Sequence, residues 1–235
     1  MIITNLKDTN RLFYNDKVVD KAYFRDSLVY QSDEPKFVTI GGLRWSECNL
    51  GAQNPSDVGL FFAWSETHGY APEQIGTGDG QRQFSSSEYT RKTKYWHYGN
   101  HEFYAHKLEN ADDAAYQMLR WKMPSQSDLS KLVSATNKTY IEDYEGSGVN
   151  GWLFVDKTDE TKKLFFPLGG IAYNGTIHTD GLTSYMSDQI YRRYPTDLVG
   201  ITFLGMNTAA TSIKVYDLYD TDKYYAGSLI RPILK

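Results

Sequence analysis

The spacing of apolar and polar positions changes along the chain, and each change predicts a different element. In ENADDAAYQMLRW, Ala111, Ala114, Ala115, Met118 and Leu119 recur at the i, i+3, i+4, i+7, i+8 positions of one helix face. Asn110 stands where it can cap that helix, and Asp112 and Asp113 lie where the helix dipole favours anions. Pro124 interrupts the pattern. SQSDLSKLV then restarts it, with Ser125 and Asp128 as a capping-box variant and Leu129, Leu132 and Val133 as the apolar stripe. Elsewhere the runs are short and strand-like. KFVTIGGLRWSECNLG predicts two strands broken at Gly41-Gly42, and DVGLFFAWSE is a further apolar run. GWLFVDKTDETKKLFFPLGG predicts a hairpin with a polar turn near 157–162, and Asn174-Gly175 is a tight-turn signal. LVGITFLGM, SIKVYDLY and YYAGSLIRPIL are three more strand candidates. Residues 66–108 carry little periodicity and predict a long excursion without a regular element, a kind of loop that is usually functional.

The first 35 residues follow another pattern. LFYNDKVV and AYFRDSLVY are similar units: an apolar run, a polar pair holding Asp, then a second apolar run. Asn15-Asp16 and Arg25-Asp26 are turn positions between short strands. Units this small cannot bury a core alone. QSDEPK, with Pro35, reads as a linker. The expected organisation is a small N-terminal β appendage at 1–35 and one α+β domain at 36–235 with short strands, long loops and one helical region.

Composition narrows the function classes. The chain has 235 residues, a formal net charge of −4 and a single Cys. Nucleic acid is therefore not an expected partner. No disulfide framework exists, and no apolar run approaches the length of a membrane span. MIITNLKDTNRLFYNDK lacks the basic and apolar segments of a secretory signal, so no export signal is read there. Nineteen Tyr, 11 Phe and 5 Trp suit both strands and recognition surfaces.

Candidate chemistry is sparse. Cys48 in WSECNLG has Glu47 beside it, a neighbour that disfavours a thiolate, and it reads as a buried structural residue. Trp45, Phe61, Phe62 and Trp64 read as core around it, with turns at Gly51 and Gly59. His97 and His101 are four apart, but the intervening Gly99 and Asn100 are poor helix residues and no third ligand is evident, so no metal site is expected. The acidic groups Asp217, Asp220, Asp222 and Asp156, Asp159, Glu160 read as turn-forming or solvated acids. Asp79 stands alone in a Gly loop. GTGDG lacks the strand and helix of a phosphate loop, and Ser85, Ser86 and Ser87 lack a His partner. No catalytic constellation and no cofactor motif is found. Clusters that mix Tyr, Trp, His and Arg remain as interface candidates. They are Tyr95, Trp96 and Tyr98 in YWHYGNHEFYAH, Tyr185, then Tyr191, Arg192, Arg193 and Tyr194 in YRRYP, and Tyr219 and Tyr224 near the C-terminal strands. In the appendage, Phe13, Tyr14, Tyr23, Phe24 and Tyr30 are the docking candidates.

Four segments in order carry a family resemblance: residues 41–66, ADDAAYQMLRWKMPSQSDLSKLV at 111–133, GVNGWLFVDKTDETKKLFFPLGG at 148–170, and AGSLIRPIL at 226–234. On these the chain resembles the Fibrobacter succinogenes major paralogous domain family, found in many Bacteroidetes proteins and their phages. The resemblance covers most of 38–235. It implies a C-type lectin-like fold, near the formylglycine-generating-enzyme branch, with the loops before the final strands as the ligand face. It departs at SYMSD (184–188), where the family places a Trp followed by several Ser, and in an enlarged loop before 110. The paired active-site cysteines of the formylglycine-generating branch have no counterpart beside Cys48. Residues 1–35 lie outside this resemblance and are similar to short strand units of virion proteins from phages infecting Bacteroidetes.

These observations lead to an expected function. It is a non-enzymatic phage virion protein, a fibre, head decoration or tail component located in the virion. Its appendage would contact other virion proteins, and its lectin-like domain a host surface glycan or protein, with a homo-oligomer open. The alternative is a bacterial surface adhesin or lipoprotein fragment. Fold alone fixes neither.

Overall fold

A computed structural model describes the side chains of residues 36–90, 95, 107–180, 182–190, 204–206 and 224–234. It describes the backbone alone at 4–5, 12–14, 17–18, 21–24, 27–31, 105–106, 191–193, 198–203, 207, 213–217 and 223. The chain divides into two compact units, Met1–Lys36 and Phe37–Lys235.

In the first unit, β1 (Thr4–Asn5), β2 (Leu12–Tyr14) and β3 (Lys17–Val18) form an antiparallel sheet in that order. β4 (Lys21–Phe24) and β5 (Ser27–Gln31) form a two-stranded ribbon. The repeated apolar–polar pair–apolar pattern explains both hairpins, because Tyr14 pairs Lys17 across Asn15-Asp16 and Phe24 pairs Ser27 across Arg25-Asp26.

The second unit mixes helices with small antiparallel sheets, an α+β arrangement. β6 (Phe37–Ile40) and β7 (Leu43–Ser46) turn at Gly41-Gly42. β8 (Ala105–Lys107) precedes the helical region. α1 (Ala114–Leu119) is shorter than the apolar stripe predicts, because Asn110–Asp112 form a separate 3-10 turn. Its cap is Asp113, whose Oδ1 accepts from Tyr116 N at 3.0 Å, and not Asn110. The same carboxylate accepts from Met123 N at 3.1 Å, which ties the start of α1 to the segment that follows the helix. α2 (Gln126–Ala135) begins with the expected capping box: Ser125 Oγ accepts from Asp128 N, and Asp128 Oδ2 accepts from Ser125 N.

β9 (Thr136–Ile141), β10 (Gly151–Asp156) and β11 (Lys163–Pro167) form one sheet with β10 in the centre. The hairpin predicted at 151–167 is therefore present, with its turn at 157–162. β12 (Ile171–Tyr173) and β13 (Thr176–His178) close over Asn174 and Gly175, both at positive φ. β14 (Leu182–Arg193), β15 (Leu198–Asn207) and β16 (Ile213–Asp217) complete a four-stranded sheet in the order β16-β15-β14-β8. β17 (Ile233–Leu234) joins β7.

Two predicted strands are not regular strands. In 57–66, Phe61 bridges Tyr70 while Phe62 bridges Ser228. In 224–234, Gly227 bridges Ala172, Ser228 bridges Phe62, Leu229 bridges Tyr185 and Ile233 bridges Lys122. Up to Leu229 each bridge goes to a different partner and no ladder propagates; only Ile233–Leu234 pair regularly, as β17 with β7. The C-terminal segment threads the core: Leu229, Ile230, Arg231 and Ile233 are fully buried. Trp45, Phe61, Phe62 and Trp64 lie in the same core, as their sequence context predicts. Gly59 is required there, because its φ is +79° and a Cβ would stand 2.7 Å from Leu50 O. The described part of the 66–108 excursion is packed by its own side chains. Arg82 Nη2 donates to both carboxylate oxygens of Glu66, at 2.8 and 2.9 Å, and its guanidinium lies over Tyr70 and Phe84.

Candidate functional site

The strand ends that border the three aromatic clusters share one end of the four-stranded sheet. The register pairs Tyr191 with both Ala105 and Gly200, Arg193 with Leu198, and Asp217 with Thr202. The start of β8, the end of β14, the start of β15 and the end of β16 therefore share one end. The chain enters β8 there from the 95–104 cluster, leaves β14 into 194–197, and leaves β16 into the 217–225 cluster. Tyr191, Arg192 and Arg193 occupy the last three positions of β14. Trp96, Tyr98, Tyr194 and Tyr219 lie outside the described residues. Long sequence separations are brought together here by strand order alone.

Two residues of these clusters, Tyr95 and Tyr224, are buried against Trp64. Tyr95 is 5% exposed and packs edge-on against Trp64, with ring centroids 5.1 Å apart. Its hydroxyl donates to Asp112 Oδ2 at 2.6 Å and accepts from Glu109 N at 3.0 Å. Tyr224 is also buried, its carbonyl accepts from Trp64 N, and its ring contacts Tyr89 at 5.0 Å. Tyr89 donates to Trp64 O at 2.8 Å. Trp64 Nε1 is buried with no acceptor among the described residues. Trp64 was thus legible as core and Asp112 as an acid near a helix start, but Tyr89 carried no reading, and none of the three was legible as a partner of Tyr95 or Tyr224. No spacing in the sequence places Trp64 between positions 95 and 224.

Three interface candidates need correction on this geometry. Tyr95 and Tyr224 are buried in the core, where the hydroxyl of Tyr95 and the carbonyl of Tyr224 bond internally. Tyr185 is 1% exposed, and its hydroxyl donates to Pro167 O at 2.7 Å and accepts from Asn49 Nδ2 at 3.2 Å. Burial pushes its phenol up to about 12, against partial relief from Arg231. Phe13, Tyr14, Tyr23, Phe24 and Tyr30 fall in β2, β4 and β5, where the backbone alone is described.

A second polar centre surrounds Arg231, whose guanidinium is fully buried. Nε donates to Asn49 Oδ1 at 2.9 Å, Nη1 to Ser46 O at 3.1 Å and Glu47 O at 2.5 Å, and Nη2 to Phe165 O at 2.7 Å. The cation also lies 4.4 Å from the Phe166 ring centroid. Burial lowers its pKa from the ordinary value. Carbonyl dipoles and a ring face thus solvate the charge. Cys48 stands close enough to interact electrostatically with Arg231 and is half-buried, not fully buried as its context predicts. The reason is local: Ser46 Oγ accepts from Cys48 N at 3.3 Å while Asn49 and Leu50 turn inward instead. The chain has no second thiol for paired-cysteine chemistry.

The remaining candidates are placed without forming a site. Asp156 and Asp159 accept from the backbone and hydroxyl groups of Thr158 and Thr161, and these bonds, the hydroxyl ones first, hold both carboxyls below the usual range. Ser85 Oγ lies 2.9 Å from Ser87 Oγ. His97 and His101 lie outside the described residues, and His106 is described by its backbone in β8, opposite Ile190. Among the described residues no three His, Cys, Asp or Glu side chains are placed to hold a metal ion, and no helix is long and apolar enough to cross a membrane. No family model, curated protein or solved structure matches the chain.

Proposed function

We propose that this chain is a non-enzymatic virion protein that works by contact. In this reading its second unit is a C-type lectin-like domain that presents an aromatic, Arg-bearing rim to a host surface glycan or protein, or to a neighbouring virion protein. Residues 1–36 dock it to the particle. The observation that carries the reading is that the strand ends bordering the clusters at 95–104, 191–197 and 217–225 share one end of the four-stranded sheet. Tyr, Trp and Arg clustered on a rigid frame supply large contact area at low entropic cost. Support also comes from the four ordered segments that resemble the major paralogous domain family, and from the strand repeat of the appendage.

Mass spectrometry of purified phage particles tests the reading. The chain is expected among the particle proteins at a defined copy number. Its absence from particles, with recovery on the outer surface of the bacterium, would replace this reading with that of a cell-surface adhesin.

A further inference from the structure

The hairpin of β12 and β13 is seated by its tip. It closes over Asn174 and Gly175, with Tyr173 opposite Thr176 and φ of +50° and +73° at the two turn residues. Gly175 N donates to Gln83 O at 2.6 Å, and Asn174 N to Phe84 O at 3.4 Å. The seat is tight: a Cβ on Gly175 would stand 2.5 Å from Thr77 Cγ2 and 2.9 Å from the Gly76 carbonyl carbon. The segment that supplies Gln83 O is held in turn by Arg82, through Glu66, Tyr70 and Phe84. Asn174 itself is exposed, and its side-chain amide has no hydrogen bond among the described residues. Glycine follows it, so no side chain keeps the next backbone nitrogen away from the Asn174 amide carbon.

We propose that Asn174 is a site of spontaneous deamidation, gated by the seating of this tip on Gln83, and that its conversion unseats the hairpin irreversibly. In the reaction Gly175 N loses its proton to hydroxide and bonds to Asn174 Cγ, the Cγ–Nδ2 bond breaks, and ammonia leaves. Water then opens the succinimide ring. Attack at Cγ leaves Asp; attack at the backbone carbonyl leaves isoaspartate, with one more carbon in the main chain. In the seated state the Gly175 N–H is committed to Gln83 O, so the nitrogen keeps its proton and the reaction runs from the open state. Isoaspartate lengthens a two-residue turn whose seat has no room for a single added methyl group. The chain has one other Asn-Gly pair, and it is held differently. Asn150 Oδ1 accepts from Asp143 N at 3.2 Å, and Gly151 lies in the central strand β10 between Ile141 and Pro167. That pair opens only with its sheet.

Peptide mapping of the full chain, held warm at mildly alkaline pH, reads both pairs. In the folded wild type Asn174 is expected to convert slowly and Asn150 to stay intact. In guanidinium chloride both should convert, Asn174 at least about tenfold faster than in the folded chain. Arg82→Ala loosens the seat without touching either pair, and should speed conversion of Asn174 at least about tenfold while Asn150 stays intact. The converted chain, separated by ion exchange on its added charge, should lose hydrogen-exchange protection at residues 174–175 and keep it in β9, β10 and β11. Conversion of Asn174 as fast in the folded chain as in guanidinium chloride removes the gate. An Asn174 that stays intact in both folded wild type and Arg82→Ala removes the site. Parallel acceleration of Asn150 in Arg82→Ala shows opening of the whole unit and overturns a local gate. Retained protection at 174–175 in the converted chain overturns the unseating.

Discussion

Arg231 holds together parts of the chain far apart in sequence, since its donors reach residues 46, 47, 49 and 165. Replacing it with Met leaves three carbonyl oxygens and the Asn49 amide oxygen buried without those donors. A loss of about 3–5 kcal/mol is expected in urea unfolding, and Arg231→Lys should recover little because one ammonium cannot span the same acceptors. Tyr185 supplies a pH test. Its folded pKa, about 12, lies above the ordinary 10.0, so the folded state keeps a proton that the unfolded chain releases. That contribution is full below pH 10 and is lost as pH rises toward 12, on the order of 2–3 kcal/mol in all. Stability of the wild type should therefore fall more steeply than that of Tyr185→Phe between pH 10 and 12. Parallel slopes would show that the phenol is not held neutral by burial. Neither role is visible in the sequence, where Arg231 follows an aliphatic pair and Tyr185 sits in SYMSD among polar residues.

Short elements were legible wherever local chemistry decides them. The Ser125 capping box, the Gly41-Gly42 break and the Asn174-Gly175 turn depend on neighbours within a few residues. Ser125→Ala removes the hydroxyl that accepts from Asp128 N, and should cost about 1 kcal/mol of thermal stability without altering the fold. Gly175→Ala should cost more than that, because φ is +73° and the new Cβ would stand 2.9 Å from the Gly76 carbonyl carbon. Comparing the two melting temperatures checks the ranking. Elements decided by distant partners were not legible. β14 alternates poorly because its register shifts between Met186 and Ile190, where Asp188 turns inward to an ion pair with Lys107 at 3.1 Å. The apolar run 57–66 and the strand candidate 224–234 make isolated bridges to different partners, and only Ile233–Leu234 forms a regular strand. The cap of α1 was placed three residues early, because Asn110 and Asp113 are equally good capping types and only the Met123 contact selects Asp113.

At the scale of the whole molecule, the candidate rim was legible as three clusters of residue types and not as one surface. Composition marked Tyr, Trp and Arg at 95–98, 191–194 and 219–224, but strand order alone brings the strand ends that border those stretches to one end of the sheet. Tyr95, Tyr185 and Tyr224 are spent on the core. The most direct test is the binding of purified protein to intact host cells and to particles that lack it. A variant with Trp96, Tyr98, Arg192, Arg193 and Tyr194 all replaced by Ala is compared with the wild type. The account predicts an unchanged melting temperature and at least about a tenfold loss of binding to whichever surface the wild type recognises. Undiminished binding by the variant, or a wild type that binds neither surface, would contradict it.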